Sequence, residues 1–377
     1  MMTKQILSRR SFSKLIGASA AYAALRPVTT GAATPAPVST ASIVRLSSNE
    51  NPYGPSPAAL KAMTDGFGLA WRYPDEYADK LAEELARLHG VPVEQVLLGD
   101  GSGEILKLCA AAFTGRDKKI VIANPTFEAI ARHADVAHAE VVKIDLTPDY
   151  SHDLKKMLAA ANGSAAANSA GLVYLCNPNN PTASITHKNE ISDFLSKLSP
   201  ATIVLVDEAY HHYVESSDYE SVIPLVKQYP NLIVARTFSK IYGMAGLRCG
   251  YCVTQRANIS QMRTHQIFDS VNIMALVAAL ASVKDAEQVA RGRRLNAEVK
   301  KSICAELDTL GYRYLPSHAN FMMIDLRREV RPIIASMRTR GVEVGRLFPA
   351  LPNFMRVTIG TAPEMKQFLS AFREVMV

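Results

Sequence analysis

The sequence has 377 residues, of which 48% are hydrophobic and 20% are charged, a length that suits two domains and a composition typical of globular proteins. No apolar run in the body of the chain reaches the ~18 residues expected of a membrane-spanning helix. The net charge is +7, but residues 1–41 contain five basic residues and no acidic residue, so the remaining chain carries only +2. The remaining chain therefore lacks the basic character expected of a nucleic-acid-binding protein.

Residues 1–41 have the layout of a leader. Arg9 and Arg10 are followed by Ser-Phe, then by a mildly apolar segment over residues 15–25 and a tail rich in Thr, Gly, Ala and Pro. This order is typical of a secretory signal, and the paired arginines resemble a twin-arginine signal. We therefore predict export to the periplasm by the twin-arginine machinery. The alternative is a basic tail on a cytoplasmic protein.

From residue 42 onward, short apolar runs alternate with amphipathic segments. This alternation predicts an α/β fold with a mostly parallel sheet that is covered by helices on both faces. The predicted strands are Ile120–Ala123, Leu172–Cys176, Ile203–Val206 and Leu232–Ala235, and the predicted helices are Glu104–Phe113, Phe127–Ala134 and Asn189–Leu198.

The same patterns suggest how the chain divides into domains. The helical pattern from Ile273 to Leu310 suits a spacer helix, and strands are expected near Asn320–Leu326 and Arg356–Ile359. The predicted parts are an N-terminal arm (42–70), a large domain (71–275), a linking helix (276–310) and a small α+β C-terminal domain (311–377).

Two polar segments follow predicted strands and could form a binding site. Open parallel sheets bind ligands at the carboxyl ends of their strands. The segment Gly99 to Glu104 opens a helix, where free N–H groups and the helix dipole favour an anion, although an ordinary helix cap would look the same. The segment Asn177 to Thr182 holds two prolines and three asparagines, and it is either a rigid polar site or an ordinary turn.

Two further strand ends carry ionisable groups. Asp207 directly follows a buried strand, where a carboxylate needs a cation: either a protonated pyridine nitrogen or a structural ion pair. Lys240 follows the next strand, and burial could lower its pKa enough for a Schiff base; the alternative is a solvated lysine. Thr237, Ser239 and Arg248 are donors suited to a phosphate. A phosphate cradle, a lysine and a carboxylate together are what pyridoxal phosphate requires.

The five cysteines are odd in number and irregular in spacing, so no disulfide framework is expected. Cys249 and Cys252 form a C-x-x-C pair on a predicted strand. Their side chains would face opposite sides of that strand. We therefore expect two core thiols and predict no metal site.

Taken together, the sequence from Leu46 to the C-terminus resembles the fold-type I aminotransferases, and within them the histidinol-phosphate aminotransferase family. The resemblance implies a pyridoxal 5'-phosphate enzyme that works as a homodimer with shared active sites. The matching stretches are Ser48 to Pro55, Arg72 to Asp75, Gly101 to Glu104, Asn177 to Thr182, Asp207 to Tyr210, Thr237 to Lys240, Ala245 to Gly250, Ala319 to Phe321 and Met355 to Thr361.

The resemblance also implies roles for the cofactor-binding residues. Lys240 would form the Schiff base and shuttle the proton, and Asp207 would keep the pyridine nitrogen protonated. Asn180 and Tyr210 would hydrogen-bond the ring hydroxyl. The phosphate would be held by Ser102, Gly103, Thr237, Ser239 and Arg248, together with Tyr73 from the other subunit.

On the substrate side, the resemblance implies that Arg356 clamps the α-carboxylate. Asn320 would lie near that carboxylate and Tyr53 at the substrate entrance. Arg346 is either a second substrate arginine or part of a salt bridge at the rim. The implied partners are a small-molecule amino donor and a 2-oxo acid acceptor.

Some positions depart from the family pattern. Phe127 replaces a Tyr that stacks on the cofactor ring, and Ala183 replaces a Gly. Phe268 and Asp269 replace a Pro-Tyr pair of the substrate-phosphate pocket, where an acid would repel a phosphate monoester. Together with the export signal, this argues against histidinol phosphate as the substrate. The same residues could also support decarboxylation, elimination or another reaction at Cα of a secreted metabolite.

Overall fold

The computed structural model describes residues 43–163 and 170–376. The predicted leader therefore lies outside the described residues. The strands, in chain order, are β1 (Val44–Leu46), β2 (Val96–Gly99), β3 (Ile120–Asn124), β4 (Val141–Asp145), β5 (Leu172–Cys176), β6 (Ile203–Asp207), β7 (Leu232–Thr237), β8 (Gly250–Thr254), β9 (Arg313–Tyr314), β10 (Phe321–Asp325), β11 (Val342–Val344) and β12 (Phe354–Thr358).

Ser56, Asp153, Asn272 and Asp285 each begin a helix by accepting a hydrogen bond from its first turn. In chain order the helices are α1 (Pro57–Gly66), α2 (Asp75–His89), α3 (Ser102–Phe113), α4 (Ala129–Val136), α5 (Leu154–Asn162), α6 (Lys188–Lys197), α7 (Arg256–Arg263), α8 (Ile273–Val283), α9 (Ala286–Thr309), α10 (Val330–Thr339) and α11 (Ala362–Met376). None of the helices in the described residues combines the length and apolar character needed to cross a membrane.

A seven-stranded sheet forms the centre of the predicted large domain. Its strand order is β2-β8-β7-β6-β5-β3-β4. Strands β3 to β7 run parallel, and β8 lies antiparallel to both of its neighbours. Parallel strands are buried on both faces and therefore need continuous apolar sequence, which β5 and β6 supply. The predicted α/β fold with a mostly parallel sheet is confirmed.

Alternate residues of each strand feed two separate cores, one on each face of this sheet. Val173 and Leu175 of β5 pack into one core with α2, α6 and α8. Leu172 and Tyr174 pack into the other core with α3, α4 and α7. Complete burial of one such aliphatic side chain is worth about 1.5–3 kcal/mol, so the two cores hold the sheet and its helices in one layered unit.

The cysteine pair follows the same alternation. Cys249, just before β8, belongs to the first core, whereas Cys252 belongs to the second. Both are buried free thiols. Within residues 43–163 and 170–376, no group of three or more His, Cys, Asp or Glu side chains is arranged to hold a metal ion.

The C-terminal residues build a second, smaller core. Strands β9, β10 and β12 form an antiparallel sheet, and helices α10 and α11 pack over it together with Leu307 of α9. The N-terminal arm joins this unit, because β1 pairs in parallel with β11 and places Leu46 in the small core.

The linking segment consists of two helices rather than one. The long helical pattern from Ile273 is interrupted after Val283, and Asp285 starts α9 by accepting a hydrogen bond from the backbone of Gln288 at 3.0 Å. Helix α8 is apolar and packs against α1 and α2 in the first core, whereas α9 is largely polar. A cap and a change of composition therefore end one helix and begin the other.

Candidate active site

A cavity of about 680 Å³ opens where β5, β6 and β7 end and residues of α10, β11 and β12 face them. Strand-end residues supply its floor, as expected of a parallel sheet. Most of the residues predicted from the sequence line it: Ser102, Gly103, Phe127, Asn180, Asp207, Tyr210, Thr237, Ser239, Lys240, Arg248, Arg346 and Arg356.

Lys240 presents its amine to this cavity. Its Nζ donates to the backbone carbonyl of Asn49 at 3.0 Å and lies 5.5 Å from the centre of the Tyr210 ring. Burial, reinforced by the positive charge of Arg356, lowers the pKa of Lys240 to about 8. The lysine is therefore not a solvated surface group, and a substantial fraction of its amine is neutral near pH 8, as attack on an aldehyde requires.

Asp207 is a buried carboxylate that accepts two neutral hydrogen bonds. Tyr174 donates its hydroxyl to Asp207 at 3.0 Å, and the backbone of Ala209 donates at 3.1 Å. Burial raises the pKa of Asp207 to about 6, although both hydrogen bonds lower it. In the part of the chain that the structure describes, no cationic side chain forms a salt bridge with Asp207, so this carboxylate suits a cationic ligand group.

The structural ion pair considered for this strand end belongs instead to the next residue. Glu208 lies 2.6 Å from Arg236, and both side chains are buried. Glu208 also accepts from the hydroxyl of Ser221 at 2.9 Å and from the backbone of Val222 at 2.8 Å. The two neighbouring acids therefore differ, because one is paired within the protein and the other faces the cavity.

An anion cradle lies at the start of α3. Gly101 has φ +74°, and a Cβ atom added there would lie 2.2 Å from Nη2 of Arg248. A Cβ at Gly250 would lie 2.3 Å from the backbone nitrogen of Ser102. Glycine at both positions therefore lets the guanidinium and the free N–H groups of the helix approach one small volume, the arrangement that binds phosphate.

Two hydroxyl groups complete this cradle. Thr237 and Ser239 are hydrogen-bonded to each other at 2.9 Å, and Nη1 of Arg248 lies 3.5 Å from the Ser239 oxygen. Together with Lys240 and Asp207, this donor set fits pyridoxal phosphate: donors for the phosphate, an amine for the aldehyde and a carboxylate for the ring nitrogen.

Arg356 of β12 lines the cavity from the side of the C-terminal core. Its Nη1 donates to Asn180 at 2.8 Å and its Nη2 donates to the carbonyl of Ser47 at 2.6 Å. Its Nε is buried and has no hydrogen-bond partner among the described residues. Burial lowers the pKa of Arg356, but a guanidinium stays charged in proteins. Both acceptors of its hydrogen bonds are neutral, and a buried cation without a counter-ion among the described residues suits a carboxylate ligand.

Arg346 lies at the rim of the cavity. Its Nη2 forms a salt bridge with Glu128 at 2.8 Å, and about half of each side chain is exposed. Its guanidinium also lies 4.3 Å from the centre of the Phe348 ring. The rim salt bridge expected as one alternative is therefore present. Arg346 lines the cavity as well, so a role toward the substrate stays a prediction.

Four of the predicted residues do not line this cavity. Asn320 is buried behind it and donates to the carbonyls of Asn49 and Glu50 at 3.1 and 3.2 Å. Tyr53 and Asp269 line two other cavities, of about 440 and 380 Å³. Tyr73 is 83% exposed. Their predicted roles toward the substrate or a second subunit stay predictions.

Several lining residues were not singled out from the sequence. Ser47, Asn49, Arg338 and Glu343 all border the cavity. Asn49 lies in the segment Ser48 to Pro55, which carried part of the family resemblance, so a signal for it was present. Arg338 and Glu343 lie on α10 and β11, and no local pattern pointed to them.

This arrangement defines a class of protein. A mostly parallel sheet that gathers a lysine, a carboxylate and a phosphate cradle at its strand ends is the architecture of fold-type I pyridoxal-phosphate enzymes. The sequence profile of the family "Aminotransferase class I and II" matches residues 41–372. The chain belongs to the class I and II aminotransferases.

Individual relatives agree with this assignment. The chain is 37% identical to a histidinol-phosphate aminotransferase of Moorella thermoacetica, over 89% of this chain and 86% of the relative. It is 39% identical to histidinol-phosphate aminotransferase 2 of Pseudomonas fluorescens, over 89% and 90% of the two chains. A solved structure of histidinol-phosphate aminotransferase from Sinorhizobium meliloti in complex with pyridoxal-5'-phosphate has a TM-score of 0.82 at 25% identity, and covers 89% of this chain and 91% of that one.

The protein is accordingly a pyridoxal-phosphate-dependent aminotransferase, similar to histidinol-phosphate aminotransferases. The predicted enzyme class and cofactor are confirmed.

Proposed function

We propose that this enzyme moves an amino group from an amino acid or related amine that carries an anionic group to a 2-oxo acid, with the cofactor attached to Lys240. The observation that carries the proposal is that the guanidinium of Arg356, the amine of Lys240 and the carboxylate of Asp207 gather around one cavity. Arg356 would bind the carboxylate of the substrate, Lys240 the aldehyde of the cofactor and Asp207 its ring nitrogen, which are the groups that meet in transamination.

When bound, pyridoxal phosphate supplies a ring that accepts electrons from the Cα of an amino substrate. Asp207 would keep the ring nitrogen protonated, and Lys240 would move the proton to and from Cα as a general base with a lowered pKa. Arg356 would orient the substrate carboxylate by a bidentate pair. The side chain of Phe127 at the cavity wall would cover one face of the ring.

The direct test uses the purified protein loaded with pyridoxal phosphate. Lys240 should be the residue modified when the protein is reduced with borohydride, as read by peptide mass spectrometry, and Lys240→Ala should lose both the modification and the bound-cofactor absorbance band. Conversion of the cofactor to its amine form by an amino donor would support transamination. Release of carbon dioxide or of an eliminated group, found by mass spectrometry of the products, would favour another reaction at Cα instead.

The nature of the donor can be narrowed further. Arg338 and Arg346 join Arg356 around the cavity, and the relatives named above are histidinol-phosphate aminotransferases. Both observations support a donor with a second anionic group. The carboxylate of Glu343, which also lines the cavity, would repel an anion placed beside it. A screen should therefore compare histidinol phosphate, histidinol, glutamate and neutral amino acids under identical conditions. Preference for neutral donors would contradict this part of the proposal.

We also propose that two copies of this chain share their active sites. Exposed large hydrophobic side chains on and beside the segment after α1 would be covered in a dimer: Phe67, Trp71, Tyr73, Ile267 and Phe268. Tyr73 would then reach the phosphate cradle of the partner. Lys240→Ala and Tyr73→Ala subunits, inactive or weak alone, should regain activity when mixed, because one site in the mixed dimer is intact. No gain on mixing would contradict shared sites.

Finally, we propose that the protein is exported in folded form by the twin-arginine machinery. The support is the sequence of the leader alone, with Arg9-Arg10-Ser11-Phe12 ahead of a weakly apolar segment. Fractionation of cells that express the protein should find it in the periplasm, and replacement of both arginines by lysine should retain it in the cytoplasm. A cytoplasmic location for both forms would mean that the leader does not function.

A further inference from the structure

Asn49 contacts residues that follow strands of the large sheet and also residues of the C-terminal segment. It is 1% exposed and adopts φ +54°, a left-handed conformation that asparagine tolerates better than most residues. Its backbone carbonyl accepts from Nζ of Lys240 at 3.0 Å and from Asn320 at 3.1 Å. One carbonyl group therefore links the amine of Lys240 to the side chain of Asn320.

The side chain of Asn49 has a defined orientation. Thr358 accepts a hydrogen bond from the backbone N–H of Asn49 at 2.9 Å and donates its hydroxyl to Oδ1 of Asn49 at 3.4 Å. With Oδ1 facing Thr358, the amide nitrogen Nδ2 points to the hydroxyl oxygen of Tyr210, at 3.1 Å.

A second amide donates to the same oxygen. Nδ2 of Asn180 lies 3.3 Å from the Tyr210 hydroxyl. Its orientation is fixed as well, because Oδ1 of Asn180 faces Nη1 of Arg356 at 2.8 Å and an arginine can only donate.

These two contacts decide where the proton of Tyr210 points. A tyrosine hydroxyl has one proton to donate, and its oxygen can accept. Two amide donors fill the accepting side of this oxygen, and among the described residues no acceptor receives the proton. Tyr210 lines the cavity, so the proton is left to point at whatever occupies it.

We propose that Asn49 is a positioning residue: its side chain turns the Tyr210 hydroxyl into a donor aimed at the cavity, and its backbone carbonyl sets the place of the Lys240 amine. This rests on the proposed function for the identity of the acceptor, which would be the ring oxygen of pyridoxal phosphate. Asn49, Asn180 and Tyr210, which form this set of donors, all belong to the same chain.

The two halves of the proposal can be separated by two substitutions. Glycine tolerates a positive φ, so Asn49→Gly removes the side chain and keeps the carbonyl in place. Alanine is strained at this φ, so Asn49→Ala also displaces the carbonyl. Asn51→Ala is the matched control, because Asn51 belongs to the same segment but bonds to Ile241 and Tyr53.

The first measurement is a pH titration of the absorbance of the cofactor-loaded protein without substrate. A hydrogen bond donated to the ring oxygen stabilises the form that has lost the imine proton, so Asn49→Gly should move the midpoint to higher pH, by up to about one unit. Tyr210→Phe should do the same, and the double variant should add nothing further. Asn51→Ala should titrate like the unmutated protein. An unchanged midpoint in Asn49→Gly, or full additivity with Tyr210→Phe, would overturn the role of the side chain.

The second measurement needs no cofactor. Competitive acetylation of the cofactor-free protein over a range of pH, read by peptide mass spectrometry, gives the pKa of Lys240. The carbonyl of Asn49 favours the charged amine, so Asn49→Ala should lower the pKa of Lys240, whereas Asn49→Gly should leave it unchanged. Equal pKa values of Lys240 in both variants would overturn the role of the carbonyl. If the unmutated protein takes up no pyridoxal phosphate, the proposed function fails while this acetylation test still stands.

Discussion

Asp207 and Glu208 are adjacent in the sequence, but their carboxylates have different partners. Asp207 faces the cavity and accepts from neutral donors, whereas Glu208 lies against Arg236. Both are buried, so each must find a partner that compensates for lost water. The folded chain supplies Arg236 as the cationic partner of Glu208. Asp207 would obtain a cationic partner only when a ligand binds.

The first prediction concerns Asp207. Asp207→Asn keeps the shape of the side chain, so pyridoxal phosphate should still bind through Lys240 and the anion cradle. The rate of amino transfer should fall by roughly 10²–10³-fold, because a neutral amide cannot keep the ring nitrogen protonated. Stopped-flow absorbance of the first half-reaction measures this rate. A loss of less than tenfold would argue against the assigned role.

The second prediction concerns Glu208. Glu208→Gln retains the shape but leaves Arg236 as a buried charge without its counter-ion, and breaking such a pair typically costs about 3–5 kcal/mol. Urea unfolding of the cofactor-free protein should show this loss in the free energy of unfolding. Glu128→Gln is the matched control: it breaks the exposed pair with Arg346 and should cost less than about 1 kcal/mol. Similar costs for both variants would contradict the distinction.

At the scale of elements, the anion cradle depends on how α3 approaches the loop that precedes β8. Gly101→Ala would force Arg248 away and strain a positive φ. We expect the dissociation constant of pyridoxal phosphate to rise at least about tenfold, equivalent to the loss of one charged hydrogen bond. Gly246→Ala is a nearby control where an added methyl group meets no atom within 4 Å. Absorbance or fluorescence titration of both variants measures the change, and equal affinities would refute it.

Local pattern predicted the buried strands well. The expected runs Leu172–Cys176 and Ile203–Val206 agree with β5 and β6 to within one residue, because continuous apolar sequence is what a strand buried on both faces needs. Strand β4 was missed, because this edge strand is only partly buried and mixes apolar with charged residues. The break after Val283 was also missed, since a single aspartate cap decides it.

The candidate site was predicted where each residue follows a strand, and less well where distant segments meet. Lys240 and Asp207 could be found because each lies at the end of an apolar run. Asn49 could not be assigned a role, since its contacts with Tyr210 and Thr358 join residues 161 and 309 positions away. Contacts of that kind form only when segments far apart in the sequence meet in the folded chain, and no local periodicity encodes them.

At the scale of the whole molecule, acid should unfold this protein through its buried histidines. His152 is 4% exposed; its Nδ1 lies 2.7 Å from the Thr186 hydroxyl, and its Nε2 has no partner among the described residues. Burial lowers the pKa of His152 to about 4, and the pKa of His89 is lowered to about 4 by burial and by Arg236. Both side chains are therefore neutral in the folded protein.

The sign of the pH effect follows from these values. An unfolded histidine has a pKa near 6.5. Below that pH the unfolded chain therefore binds protons that the folded protein does not bind. The stability contributed by His152 is complete above about pH 6.5 and is lost as the pH falls toward 4, by about 3 kcal/mol. Urea unfolding of the cofactor-free protein at several pH values should show His152→Gln to be less sensitive to acid than the unmutated protein. His265→Gln, at an exposed histidine, should keep the full sensitivity, and equal slopes in both variants would rule out His152 as a source of the acid instability.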